Sequence, residues 1–219
     1  MILLSEMGFN PENDALENHR IFQEAANQGG DIYIDKSGIY DIDDTIVQTN
    51  KRALEIIKRE GFENVDYYEK LPNLSGFIND HFVELVKTAP LFEKSKEVIE
   101  ELRQMGFRIV LISSRAYQEG TDTEEDTVNY LKKNGIIYDA ILLRRPNKVE
   151  ACIQEKVDYF IDDKEKTLDT LAEIGIECIK MRSIDKNPSK YNMVNTWDEI
   201  LLFFKSLKEK LNKRVLERE

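Results

Sequence analysis

The sequence Ile39-Tyr40-Asp41-Ile42-Asp43-Asp44-Thr45 ends a short apolar run with three carboxylates and a threonine. Side chains two residues apart lie on the same face of an extended strand, so Asp41 and Asp43 can both face one site. In open α/β sheets, ligands bind beyond the carboxyl ends of the strands, which is where these two residues fall. The segment therefore predicts a strand, Ile39–Asp43, whose end carries an acidic site.

Downstream of residue 92, amphipathic helical patterns alternate with short apolar runs. The predicted helices, each followed by a glycine that can cap it in the left-handed conformation, are Glu93–Met105, Glu124–Asn134 and Glu165–Ile174. The predicted strands are apolar without alternation, as in strands buried on both faces: Phe107–Ile112, Ala140–Leu143, Val157–Ile161 and Ile176–Met181. This order predicts an α/β fold, a Rossmann-like open and mostly parallel sheet flanked by helices.

Two stretches depart from this alternation. Residues 52–88 contain the helical patterns Arg52–Arg59 and Phe77–Lys87 but no clear strand, which predicts a small helical cap inserted after the first core strand. Near the C-terminus, Thr196-Trp197-Asp198-Glu199 is a capping box that opens a last helix. The chain thus divides into four predicted parts: an N-terminal extension with a helix and a short strand (1–38), a core (39–51 and 89–207), the cap (52–88) and a charged tail (208–219).

The composition disfavours some classes of binding partner and some cellular locations. The 219 residues include 31 Lys and Arg against 42 Asp and Glu, a net charge of -11, which disfavours binding to nucleic acid polymers and anionic membranes. Apolar runs fall short of the roughly 20 residues of a membrane helix, and residues 1–6 lack the features of a secretory signal. With only two cysteines, a reducing compartment is favoured. We therefore expect a cytoplasmic globular protein.

A second acidic pair, Asp162-Asp163, follows the predicted strand Val157–Ile161. Acids that converge from two strand ends repel each other, and a hard divalent cation such as Mg²⁺ relieves that repulsion while leaving room for a substrate phosphate. Taken singly, each acidic motif is more often a turn or a helix cap. Their order along the chain favours a functional site over isolated turns, since Ser113-Ser114-Arg115 follows another predicted strand and Lys148 starts a predicted helix.

In this order the motifs resemble the four motifs of the haloacid dehalogenase superfamily over roughly residues 39–204. The matching residues are Asp41, Asp43 and Thr45 in the first motif, Ser113 in the second, Lys148 in the third, and Asp162-Asp163 in the fourth. Dehalogenases of the superfamily lack an acid at the position of Asp43, whereas its phosphatases and phosphomutases have one. Position 44 is Asp where Gly is commoner.

The resemblance implies a role for each motif residue. Asp41 would be the nucleophile that forms an aspartyl-phosphate, and Asp43 would act as general acid and then base. Mg²⁺ would be held by Asp41, the backbone carbonyl of Asp43, and Asp162, with Asp163 in support. The predicted phosphate-binding residues are Thr45, Ser113, Ser114, Arg115 and Lys148. Because Asp43 has to be protonated when the leaving group departs, we expect crowding by acids to raise its pKa.

The segments Ile112–Arg115, Asn147-Lys148 and Phe160–Lys164 look most like the 5'(3')-deoxyribonucleotidase-like branch. The resemblance then implies a Mg²⁺-dependent phosphomonoesterase that acts on a small phosphorylated metabolite, a nucleoside monophosphate. From the cap, Phe77, His81 and Phe82 could stack on a base, although such residues more often form the cap's own core, which is the interpretation we favour.

Three alternatives stay open. A sugar-phosphate phosphatase or a phosphomutase would use the same motifs. A catalytically impaired binding or scaffold protein would keep the fold but would have lost the geometry of the site. Its only positive sign is the short first strand, since only Ile39 and Tyr40 precede Asp41 as an apolar run. Residues 13–46 also resemble the opening of pectate-lyase-like β-helix domains, but nothing after Thr45 continues as β-coils. Neither Cys-x5-Arg nor Gly-x4-Gly-Lys occurs, which excludes two other phosphate-binding loops.

Overall fold

The computed structural model describes residues 37–62, 64–115, 123–182 and 188–216. Its strands form one six-stranded sheet in the order β3-β2-β1-β4-β5-β6, and every pair is parallel. The strands are β1 (Ser37–Tyr40), β2 (Arg108–Ile112), β3 (Ala140–Leu142), β4 (Val157–Asp162), β5 (Glu177–Met181) and β6 (Asn192–Val194). The predicted α/β class with a parallel, Rossmann-like sheet is confirmed.

Helices connect the strands. They are α1 (Thr49–Arg59), α2 (Leu74–Thr88), α3 (Ser95–Gln104), α4 (Thr123–Lys133), α5 (Val149–Gln154), α6 (Glu165–Ala172) and α7 (Trp197–Leu216), with a 3-10 turn at Tyr68–Lys70. Within the described ranges, no helix combines the length and the apolar character needed to cross a membrane. Of the extension predicted for residues 1–38, residues 37–38 belong to β1. The rest of it, and most of the stretch that resembles β-helix domains, lie outside the described residues and stay predictions.

The sheet is buried on both faces, which explains why its strands are apolar without alternation. In β2, Ile109 and Leu111 pack in one cluster while Val110 and Ile112 pack in the other. The first cluster includes Trp197 of α7, whose ring stacks on Tyr40 with centroids 5.3 Å apart. Burial of both faces between helices fixes the sheet and thereby the positions of its carboxyl ends.

The first strand is shorter than predicted, because β1 ends at Tyr40 and not at Asp43. The chain turns directly afterwards, since the carbonyl of Ile42 accepts hydrogen bonds from the N–H groups of Ile46 (3.1 Å) and Val47 (2.9 Å). Asp44 takes a left-handed conformation in this turn, with φ of 53°. Asp41 and Asp43 are therefore not brought together by strand periodicity, and that part of the sequence argument is wrong.

Residues 49–88 pack around a small apolar cluster of their own. It contains Ala53, Ile56 and Ile57 of α1 with Phe77 and Leu85 of α2. Phe77 is thus buried between helices, as we favoured over a stacking role.

His81 is also engaged within this region, because its Nε2 lies 2.7 Å from an oxygen of Glu60. Phe82 is buried as well. None of the three side chains singled out for base stacking is presented freely in the structure.

The C-terminal helix starts where the capping box predicts. The N–H of Glu199 donates to the Thr196 hydroxyl (3.3 Å), but the Glu199 carboxylate accepts from the N–H of Asn195 (2.7 Å), one residue earlier than in a standard box. The helix continues to Leu216, so residues 208–216 of the predicted charged tail are helical. Strand β6 was not predicted. It is only three residues long and buries only Val194, so the sequence carries no apolar run there.

Candidate active site

The loop after β1 fixes Asp41 at the carboxyl edge of the sheet. Its N–H donates to the carbonyl of Ile161 in β4 (3.0 Å), which adds one more rung to the parallel pairing. Its Oδ1 accepts from the N–H of Ile42 (2.8 Å), and the side chain is buried. Backbone and side-chain bonds together hold this carboxylate in one orientation.

A buried lysine connects the two acidic motifs. Lys148, directly before α5, places Nζ 3.0 Å from Oδ2 of Asp41 and 2.7 Å from Oδ2 of Asp162. Burial alone would lower the pKa of Lys148, but the two carboxylates outweigh it and the pKa is raised. The Lys148 ammonium is therefore charged and neutralises part of the acidic site.

Three carboxylates converge beside this lysine. Oxygens of Asp41, Asp162 and Asp163 all lie within 4.8 Å of one another, and all three residues are buried. Burial, with the charges of Asp162 and Asp43, raises the pKa of Asp41 to about 7 in spite of Lys148. Burial, followed by the charges of nearby carboxylates, also raises the pKa of Asp163 well above its ordinary value. Such a set of hard oxygen donors fits a divalent cation of the Mg²⁺ type.

Backbone and lysine contacts brace the fourth-motif acids. The N–H of Lys164 donates to Oδ1 of Asp162 (2.7 Å), so both oxygens of Asp162 have partners. The ammonium of Lys180, buried in β5, donates to the carbonyl of Asp163. These contacts orient the acids from the side of β4 and β5.

Asp43 belongs to a different ion pair. Arg115 donates from Nη2 to Oδ1 of Asp43 (2.8 Å) and from Nε to Oδ2 (2.9 Å), and the Thr49 hydroxyl donates to Oδ1 (2.5 Å). Burial alone would raise the pKa of Asp43, but the charge and hydrogen bonds of Arg115 and the Thr49 bond outweigh it. The pKa of Asp43 is therefore lowered, and our expectation of a raised pKa is wrong.

The five predicted phosphate-binding residues are not all in contact with the acids. Lys148 lies among the acids, whereas Arg115 pairs with Asp43 and its N–H donates to the hydroxyl of Ser113 (3.2 Å). Ser113 is fully buried and Ser114 is exposed. Thr45 is also fully buried, and its hydroxyl has no hydrogen-bond partner among the described residues.

Sequence reasoning missed several residues that shape the site. Thr49 contacts Asp43 from the start of α1, and Lys164 and Lys180 brace the acids of the fourth motif. Asp44 is buried as well, where a turn residue would be solvated. Two of these residues could have been found from the sequence: Asp44, which stands where Gly is commoner, and Lys164, which directly follows Asp162-Asp163.

Comparison with known proteins bears on the fold of the chain. No protein-family model matches the chain. A curated Oceanobacillus iheyensis protein named "Putative nucleotidase" is 25% identical over 184 residues, covering 74% of this chain and 95% of that protein.

Two solved structures are similar over most of their length. A haloacid dehalogenase-like family hydrolase from Streptococcus pneumoniae has a TM-score of 0.56 at 16% identity, covering 77% of this chain and 98% of that one. A Haemophilus somnus protein described as a predicted phosphoglycolate phosphatase has a TM-score of 0.57 at 13% identity, covering 80% and 100%. The fold expected from the four motifs is confirmed, and the chain has the fold of the haloacid dehalogenase superfamily.

Proposed function

We propose that this protein is a Mg²⁺-dependent phosphomonoester hydrolase that acts through an aspartyl-phosphate on Asp41. The observation that carries the proposal is the buried contact of one lysine, Lys148, with the first-motif acid and with Asp162 of the fourth motif. An ammonium group held there can neutralise a transferring phosphoryl group, while the neighbouring acids supply oxygen ligands for a cation. The order of the four motifs and the fold support the same chemistry.

In this proposal the residues of the chain have separate tasks. The Asp41 carboxylate attacks phosphorus, which divides the displacement into formation and hydrolysis of an acyl phosphate. Asp41, Asp162 and Asp163, with the backbone carbonyl of Asp43, would hold Mg²⁺, which when bound neutralises phosphoryl charge. Lys148 adds a second positive charge from within the protein and keeps Asp41 oriented.

Asp43 is the proposed general acid and base. Its pairing with Arg115 keeps it ionised in the structure, which suits the base that activates water in the second step. Protonation of the leaving group needs a neutral Asp43, and we infer that this requires Arg115 to release it. An incoming phosphate offers Arg115 an alternative anionic partner, in line with its predicted role in phosphate binding.

We propose a nucleoside monophosphate as the substrate class and the cytoplasm as the location. The similarity to a protein named as a nucleotidase supports that substrate. A sugar-phosphate phosphatase or phosphomutase would share the same acids and lysine. An impaired binding protein is less well supported, because Asp41 continues the pairing with β4 in spite of the short first strand.

The proposal is tested by phosphate release from a panel of nucleoside monophosphates and sugar phosphates, with Mg²⁺ and with excess EDTA. We expect turnover of at least one substrate that needs the cation and is abolished in Asp41→Asn. Asp66→Asn is the matched control, because Asp66 is an exposed acid paired with Lys70. Full activity in EDTA would contradict the metal assignment, and an active Asp41→Asn would contradict the nucleophile.

A further inference from the structure

Asp44 does more than occupy the turn after the first strand. Its Oδ1 accepts a hydrogen bond from the N–H of Asn50 (2.9 Å), an amide in the first turn of α1 that has no partner within the helix. Gln48, the residue in the N-cap position, makes no capping bond and donates instead to the carbonyl of Leu91 (2.7 Å). Asp44 therefore serves as the cap of α1 from outside the helix.

The side chain of Asn50 continues this connection. Its Oδ1 accepts from the N–H of Tyr68 (3.0 Å), the first residue of the 3-10 turn. Two consecutive hydrogen bonds thus lead from the loop that carries Asp41 and Asp43 to the turn Tyr68–Lys70.

The same turn is connected to the opposite side of the acidic site. Glu69 pairs with the Lys164 ammonium (2.6 Å), and the backbone N–H of Lys164 donates to Asp162. Burial and then the charges of Asp43 and Asp44 raise the pKa of Tyr68, which is consistent with a phenol near those carboxylates. The turn Tyr68–Lys70 is therefore fixed beside the acids of the first and fourth motifs.

We propose that Asp44 is a positioning residue that holds the turn Tyr68–Lys70 beside the acidic site through Asn50. The residue type fits this task, since φ of 53° is open to glycine, asparagine and aspartate, but glycine offers no acceptor. In the proposed function, the group attached to the phosphate would lie beside this turn. Asp44 would thereby influence which leaving group is accepted, a consequence that rests on the proposed function.

The comparison of Asp44→Gly with Asp44→Asn isolates the hydrogen bond, because both residues tolerate the backbone conformation and only Asn keeps the acceptor. Amide hydrogen exchange of residues 64–73 is the first readout. We expect exchange about three- to tenfold faster in Asp44→Gly, the range that corresponds to one hydrogen bond, and unchanged in Asp44→Asn. Equal exchange in Asp44→Gly and the wild type would overturn the proposal.

Asn50→Leu removes the acceptor of the second hydrogen bond, the one from the N–H of Tyr68. It also tests the proposal if Asp44→Gly fails to fold. We expect Asn50→Leu to accelerate amide exchange in the same segment. Exchange in the double variant, Asp44→Gly with Asn50→Leu, should be no faster than in the faster single variant, because both changes break the same connection. Fully multiplicative effects would show two independent contacts and would contradict the connection.

Activity supplies a readout that a purely structural role would not change. We expect Asp44→Gly to lower kcat/KM about three- to tenfold for a nucleoside monophosphate, and to leave kcat/KM for acetyl phosphate unchanged, because its acetyl group is much smaller than a nucleoside. Equal losses on both substrates would overturn the positioning role. No turnover of any phosphate ester by the wild type would contradict the proposed function, and hydrogen exchange would then decide the proposal by itself.

Discussion

The ion pair between Arg115 and Asp43 provides the sharpest test of the site's electrostatics. We consider Arg115→Met in the metal-free protein. The change removes two charge-assisted hydrogen bonds to Asp43, of 2.8 and 2.9 Å, and a longer one to the Thr127 hydroxyl (3.3 Å), and it leaves Asp43 with the Thr49 hydroxyl. Breaking a buried pair costs about 3–5 kcal/mol, and because the Asp43 side chain keeps 27% exposure we expect about 3 kcal/mol.

The loss should depend on pH in a defined direction. Burial would raise the folded-state pKa of Asp43, but the charge and hydrogen bonds of Arg115 outweigh burial. The folded-state pKa therefore lies below its ordinary value. A carboxyl with a depressed folded-state pKa stabilises the fold above its unfolded pKa of about 3.9, and this contribution disappears as the pH falls through the folded pKa. The difference between wild type and Arg115→Met should therefore be full near neutrality and shrink in acid.

Urea denaturation at about pH 7 and about pH 3, in EDTA, measures this difference. Arg103→Met is the matched control, because Arg103 makes a similar two-bond contact with Asp139 but its side chain is 35% exposed. An exposed pair is worth about 0–1 kcal/mol, so the control should lose much less. Equal losses in the two variants, or a loss in Arg115→Met that does not change with pH, would refute the reasoning.

Three further expectations concern separate parts of the molecule. Lys148→Met should lower the free energy of unfolding by about 3–5 kcal/mol without metal, because two buried acids lose their partner, and Mg²⁺ should reduce the loss in urea titrations. An equal loss with and without Mg²⁺ would contradict this. Trp197→Phe should cost about 1–3 kcal/mol by circular dichroism, because the buried carbonyl of Thr45 loses the indole donor (3.0 Å); no loss would show that this bond is replaced. Asp43→Asn should lower turnover about 10²–10⁴-fold for a nucleoside monophosphate but less for an aryl phosphate; equal losses would remove its proton-transfer role.

Much of the fold could be predicted because burial on both faces leaves a direct signature in the strands. The run Arg108–Ile112 is apolar at every position after its first residue, and its side chains do enter both clusters. The acids Asp41, Asp162 and Asp163 were predictable for a related reason, since parallel strands place their carboxyl ends at one edge. Their convergence follows from topology alone.

The environment of Asp43 could not be predicted in the same way. Its partner Arg115 is 72 residues away in the sequence, and only the packing of the loop after β2 brings the two together. The strand ends at Tyr40 and the chain turns from Ile42 onward, so the alternation of a strand does not apply at Asp43. Aspartate is among the residue types enriched at positive φ, but it is also common in ordinary turns and caps, so Asp44 by itself did not reveal this turn.

The central claim is that Asp41 carries the phosphoryl group during turnover. The most direct measurement is peptide mass spectrometry of the protein after rapid acid quenching during turnover of a phosphate monoester with Mg²⁺. We predict one added phosphoryl group on the peptide that contains Asp41, and none in Asp41→Asn or in excess EDTA. Hydrolysis that proceeds with no phosphoryl group on that peptide, together with an active Asp41→Asn, would contradict the account.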